Sequence, residues 1–162
     1  MTQPSSETIL VIDDHPLFRK GVAQLLALDS GFKMVGEAAS GSEGLELAKE
    51  LKPDLILLDL NMKGMNGIET LRAIRATDLD SRVIILTVSD NEEDLITALR
   101  VGADGYLLKD MEPEDLLANL RNAAQGRMVL SDTLTGMLAH ALRHDSQPKR
   151  PDQAGLTERE QE

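Results

Sequence analysis

Four apolar runs in this chain each lead into a residue suited to phosphoryl chemistry. Thr8-Ile9-Leu10-Val11-Ile12 runs into Asp13 and Asp14, and Leu55-Ile56-Leu57-Leu58 into Asp59. Val83-Ile84-Ile85-Leu86 runs into Thr87, and Tyr106-Leu107-Leu108 into Lys109. If the runs are parallel strands, their carboxyl ends bring three carboxylates, a hydroxyl and an ammonium to one edge of one sheet. Mg²⁺ takes oxygen ligands in octahedral geometry, using one or two carboxylates, retained waters and phosphate oxygens. Asp14 and Asp59 supply the carboxylates, Asp13 acts through a bound water, and a loop carbonyl, best placed at Asn61, adds a ligand. A carboxylate is also a competent nucleophile toward phosphorus. Asp59 suits that part, because it opens a glycine-bearing loop that a donor can approach. In-line transfer needs the equatorial phosphoryl oxygens neutralised. Mg²⁺, the Lys109 ammonium and the Thr87 hydroxyl provide one partner each.

The elements that must position these residues alternate regularly. Strands are predicted over 8–12, 33–37, 54–58, 82–87 and 105–108, separated by segments of helical period. The first helix, opened by His15-Pro16, is predicted to bury Leu17, Val22, Leu25, Leu26 and Leu28. Ser40-Gly41 precedes the second helix, which Pro53 closes. Gly64 and Gly67 lead into a third with Ile68, Leu71 and Ile74 on one face. Glu92, Glu93 and Asp94 load the first turn of the fourth, where negative charge suits the helix dipole. Pro113 opens the fifth, through Leu116, Leu117 and Leu120. Five strand-helix alternations predict an α/β, doubly wound, flavodoxin-like (βα)5 fold with a parallel sheet ordered 2-1-3-4-5. That order makes Asp13, Asp14 and Asp59 neighbours.

The remaining chain divides differently. Residues 1–7 are polar and predicted to be disordered, and 8–126 form the α/β domain. Residues 127–143 are predicted as a linker helix, with Leu130, Leu134, Leu138 and Leu142 at four-residue spacing. Residues 144–155 are a polar linker carrying Pro148 and Pro151. At 156–162, Thr157 and Glu160 make a capping box, the mark of a helix start, so the chain reads as cut just inside a second domain. With 162 residues, 41% apolar content and a formal net charge of −11, the chain supports one packed core and lacks the basic stripe of a nucleic-acid surface. It has no cysteine, which excludes disulfides and thiolate metal sites. No run reaches the roughly eighteen apolar residues of a membrane span, so a soluble, cytoplasmic protein is expected, with no membrane partner and no DNA binding by this fragment. His15, His140 and His144 show no metal-ligand spacing beyond the i, i+4 pair at 140 and 144, which reads as solvated.

Each residue also has a plainer reading. An aspartate after a strand is commonly a helix cap or turn residue. Lys109 alone reads as a solvated loop residue, Thr87 as a satisfied strand end and Tyr106 as core filling. The coincidence at four strand ends, in the order such a sheet requires, favours the site.

The segments VIDDHPLFRKGVAQLL, LLDLNMKGMNGIETL, VIILTVSD and GADGYLLKDMEPEDLL resemble the receiver domain of bacterial two-component response regulators, from about Thr8 to Gln125. Within that class they are most similar to the nitrate/nitrite regulators of the NarL/NarP family. LTERE resembles the opening of the LuxR-type helix-turn-helix domain those proteins carry. The resemblance implies phosphorylation of Asp59 by a sensor histidine kinase, with Asp13, Asp14, Asp59 and the Asn61 carbonyl holding Mg²⁺. Lys109 is then the phosphoryl contact, and Thr87 and Tyr106 are the switch pair, the ring turning inward as Thr87 shifts. The protein's own DNA-binding domain is the implied output partner, while homodimer formation on phosphorylation is left open. Two positions depart from the pattern. Lys63 stands where proline is usual, and Val88 replaces a commonly smaller residue, which is expected to crowd the water path and slow self-dephosphorylation. Competing readings are a receiver-like module that binds partners without phosphorylation, and a Mg²⁺-dependent phosphatase with Asp59 as nucleophile. The phosphatase needs a general acid two residues after the nucleophile, and Asn61 cannot serve as one.

Overall fold

The computed structural model describes residues 7–62 and 64–146. Lys63, the start at 1–6 and everything from 147 onward, including the linker and the Thr157 capping box, lie outside the described residues. The chain divides into two compact units, residues 1–131 and 132–162.

In the first unit, β1 (Glu7–Ile12), β2 (Phe32–Ala38), β3 (Leu55–Leu58), β4 (Arg82–Thr87), β5 (Gly105–Leu108) and β6 (Val129–Leu130) form one parallel sheet ordered β2-β1-β3-β4-β5-β6. The connections are α1 (Pro16–Ala27), α2 (Gly41–Leu51), α3 (Gly67–Arg75), α4 (Glu92–Val101) and α5 (Pro113–Ala124). β3 is buried along its whole length and β4 is buried from Val83 onward, as strands covered by helices on both faces should be. One core cluster joins Ile9, Val11, Leu55, Leu57, Ile84 and Leu86 of the central strands to Val22 and Leu26 of α1 and to Leu116 and Leu120 of α5.

The helix boundaries follow from local chemistry. Ser40 Oγ accepts from the Glu43 amide at the start of α2. Asn66 and Glu69 form a reciprocal capping box on α3, which satisfies two otherwise orphaned amides. Asn91 Oδ1 accepts from the Glu93 and Asp94 amides of α4.

The fold departs from the sequence expectation at four places. Glu7, assigned to a disordered start, begins β1, and its amide donates to the Gly31 carbonyl at 2.8 Å. The helix expected over 127–143 begins instead at Asp132, as α6 (Asp132–Ser146). Val129 and Leu130 pair with Gly105 and Tyr106 as a sixth strand, and the Ser131 amide donates to the Tyr106 carbonyl. The reason is the exposed edge of β5, whose backbone groups need partners that a helix could not supply. Leu17 on α1 and Leu28 at its C-cap are exposed, at 84% and 81%, against the expectation that they face the core. Phe18, Val22, Leu25 and Leu26 occupy the inner stripe, which leaves Leu17 and Leu28 on the outer side. In the second unit, α6 carries Leu134 and Leu138 one turn apart. Among the described residues, no helix is long and apolar enough to cross a membrane.

The turn from β3 into α3 depends on Gly67. A Cβ there would lie 2.4 Å from the Asp59 carbonyl oxygen and 2.5 Å from Leu60 Cα. Both are backbone atoms, which cannot rotate away. Overpacking of this kind costs about 1–3 kcal/mol, so Gly67→Ala should lower the urea midpoint accordingly. An unchanged midpoint would mean that the turn relaxes freely.

Candidate functional site

Strand register assembles the site. Ile12 lies beside Leu58 in the β1–β3 ladder, and the Asp59 amide donates to the Ile12 carbonyl at 3.0 Å. The residues that follow, Asp13 and Asp59, must therefore emerge side by side. On the other flank Thr87 lies beside Leu108, and the Lys109 amide donates to the Thr87 carbonyl at 2.8 Å. Asp13 and Asp59 are almost fully buried, at 1% and 2% exposure, and Thr87 is wholly buried.

Lys109 reaches across this edge. Its Nζ lies 2.6 Å from Asp13 Oδ2 and 3.4 Å from Asp59 Oδ2. The ammonium also sits 4.3 Å from the centroid of the Phe18 ring, a cation–π contact that helps hold it over the carboxylates. Phe18 was not among the residues singled out from sequence. Its adjacency to the acidic pair along α1 gave no hint of a ring beneath Lys109, because α1 and the β5–α5 turn meet only in three dimensions.

His15 was also missed. Its Nδ1 lies 2.8 Å from Asp13 Oδ1, 3.3 Å from Asp14 Oδ1 and 3.7 Å from Asp59 Oδ2. The His15 amide donates to the same Asp13 Oδ1 at 2.9 Å, so the carboxylate fixes the chain as it enters α1. The sequence signal is the position of His15 directly after the acidic pair, which spacing between histidines does not register.

Asp13, Asp14, His15 and Asp59 offer ligand atoms that all lie within 4.8 Å of one another. Among the described residues, three carboxylates against the Lys109 ammonium leave an excess of negative charge in a largely buried space. This donor set fits a hard divalent cation, which prefers carboxylate oxygen and tolerates waters at the exposed side.

The loop side is ordered by short-range bonds. The Asn61 amide donates to Asp59 Oδ1 at 3.3 Å, and Asn61 Nδ2 donates to Thr87 Oγ1 at 3.3 Å. The Ser89 amide donates to the same Thr87 oxygen. Tyr106 lies fully inside, its hydroxyl donating to the Ser89 carbonyl at 3.0 Å. Ser89 Oγ in turn donates to Asp94 Oδ2 of α4 at 2.6 Å. Thr87 and Tyr106 thus meet the same short segment after β4, which links the site to α4. His140 lies on α6, in the other unit.

Burial, with a smaller contribution from the Asp94, Asp90 and Asp59 carboxylates, pushes the Tyr106 hydroxyl up to about 12 against the opposing effect of its hydrogen bond to Ser89. Burial and the carboxylates both disfavour the phenolate. Tyr106 is the single tyrosine of the chain, so its absorbance near 295 nm reports this group alone. The folded protein should titrate close to 12, against 10 for the ordinary phenol. Because the folded value is raised, the associated stability is complete below pH 10 and is lost as pH rises toward 12. Phenolate appearing near pH 10 with the fold intact would place the ring in water.

Comparison with known proteins places this arrangement. The family model for the response regulator receiver domain matches residues 9–121. The chain is 54% identical over 162 residues to the nitrate/nitrite response regulator protein NarL of Escherichia coli K12, covering all of this chain and 75% of that protein. Among solved structures, a LuxR-family two-component response regulator from Aurantimonas sp. SI85-9A1 is 32% identical with a TM-score of 0.81, over 86% of this chain and 99% of that one. The signal receiver domain of the putative response regulator NarL from Mycobacterium tuberculosis is 40% identical with a TM-score of 0.74, over 76% of this chain and all of that one.

Proposed function

The chain belongs to the response regulator receiver domain family, and we propose that Asp59 is its phosphoacceptor, taking a phosphoryl group from a sensor histidine kinase. The observation that carries this reading is the convergence of Asp13, Asp14, Asp59 and Lys109 from three strand ends upon one buried carboxylate. In the transfer, an Asp59 oxygen forms a bond to phosphorus while the phosphorus–nitrogen bond of the donor phosphohistidine breaks in line. The departing imidazole keeps the electron pair and takes up a proton. Lys109 neutralises one equatorial oxygen, and Thr87, whose oxygen already accepts two N–H groups, has its own proton to donate to another. Mg²⁺, when bound, supplies charge neutralisation on the remaining side. Asp13, Asp14, Asp59 and the Asn61 carbonyl are the proposed holders of that ion.

The kinase partner is supported by the surface beside Lys109. Leu17, Phe18, Leu25, Met111, Pro113 and Leu116 line a shallow, mainly apolar cleft of ≈ 240 Å³ there. An apolar helix docked on exposed Leu17 would sit next to the phosphoacceptor. By analogy with the similar nitrate/nitrite regulators, the proposed output is nitrate- or nitrite-responsive transcription through a LuxR-type DNA-binding domain, in the cytoplasm. The proposed catalysis is confined to the domain's own phosphorylation and dephosphorylation. Proposed boundaries are a receiver that runs through β6 to about residue 131, beyond the 126 expected from sequence, and a following linker with α6 as its helical part. The phosphatase alternative is disfavoured by Asn61, which lacks the required acid.

The test is intact mass after incubation with Mg²⁺ and a small phosphodonor. A gain of about 80 Da, absent without metal and absent in Asp59→Asn, is expected for an aspartyl phosphate. No gain by the folded protein would favour a phosphorylation-independent binding module.

Val88, 71% exposed and adjacent to Thr87, is proposed to crowd the approach of the hydrolytic water. Val88→Ala should shorten the phosphoryl lifetime severalfold, measured by loss of the added mass with time. An unchanged lifetime would remove Val88 from the account.

A further inference from the structure

His15 stands where a nitrogen donor meets the carboxylates. Its Nδ1 lies 2.8 Å from Asp13 Oδ1 and 3.3 Å from Asp14 Oδ1, and these atoms belong with an Asp59 oxygen to one cluster spanning no more than 4.8 Å. Carboxylate oxygens and an imidazole nitrogen gathered in this way can all direct lone pairs at a single cation. We infer that His15 is a further ligand of the cation site through Nδ1, and that it shifts the site's preference from Mg²⁺ toward first-row transition cations such as Co²⁺. The inference rests on the cation reading proposed above.

Donor spacing supports it. With metal–ligand bonds of about 2.1 Å, adjacent corners of an octahedron lie roughly 3 Å apart. The Nδ1 distances to Asp13, Asp14 and Asp59, at 2.8, 3.3 and 3.7 Å, are of that order without rearrangement of the backbone. The ring is also preset. His15 is the residue before α1, its amide is held on Asp13, and Pro16 follows with a fixed backbone angle. The side chain is 60% exposed, which lets Nε2 keep its proton toward water while Nδ1 coordinates. Imidazole strengthens binding of transition cations far more than of Mg²⁺, which favours oxygen ligands.

Calorimetric titration of the full chain with Mg²⁺ and, separately, with Co²⁺ tests this, before and after His15→Ala. All proteins should carry His140→Gln, so that the pair at 140 and 144 does not hold Co²⁺ elsewhere. Loss of the ligand should weaken Co²⁺ binding by at least roughly tenfold while Mg²⁺ affinity stays within about threefold. The visible Co²⁺ absorption should move as nitrogen leaves its coordination sphere. Equal changes for both ions would make His15 an electrostatic neighbour only, and no change would make it a bystander; either overturns the inference while the cation site stands. Failure of the parent protein to bind either ion would overturn the cation reading and this inference together. Retained Mg²⁺ affinity in His15→Ala also shows that the variant is folded.

Discussion

The β1–β3 register is the constraint from which the site follows. Once Ile12 lies beside Leu58 and the Asp59 amide is bonded to the Ile12 carbonyl, the aspartates that follow each strand have nowhere to go but the same sheet edge. Burial then makes their mutual repulsion costly, because charges in a poorly screened space repel more strongly than in water. The sheet itself is stabilised by its apolar core, so it can impose this arrangement on groups that would separate if free. A receiver site is in this sense a concentration of negative charge held together by hydrophobic packing around it.

Lys109 offsets part of that charge and connects the two flanks of the sheet. It is delivered by β5, contacts carboxylates that follow β1 and β3, and rests over Phe18 of α1. Any displacement of β5 relative to β4 therefore alters the neutralisation of Asp59. The Thr87–Ser89–Tyr106 bonds tie the same strands to the segment entering α4. A change of charge at Asp59 thus has a physical path to α4, through groups that compete for the same few hydrogen bonds. Gly67 protects the arrangement from another side, by letting α3 start against the Asp59 and Leu60 backbone.

His15 alters the character of this acidic edge. Its ring lies beside three carboxylates and one ammonium. The edge is therefore a mixed oxygen and nitrogen donor set, where sequence alone suggested oxygen only. Imidazole is the more polarisable donor, so its presence bears on which cation is favoured as well as on how much charge is neutralised.

The alternation of apolar runs and helical periods determined the parallel α/β fold, and the residues ending those runs determined which side chains would meet. Asp13, Asp14, Asp59 and Lys109 were legible because strand ends in such a sheet share one edge, a consequence of topology that local sequence encodes. Val129 and Leu130 were not, because their strand exists only to pair with β5, and two residues carry no periodicity of their own. Leu17 and Leu28 looked like core for a related reason: apolarity was visible, but which side of α1 faces the sheet depends on how the helix is rotated onto it. The Phe18 platform under Lys109 and the place of His15 among the carboxylates were likewise decided by tertiary structure. Contacts between a helix start and two distant strand ends depend on the spatial packing of those elements, and no spacing along the chain records it.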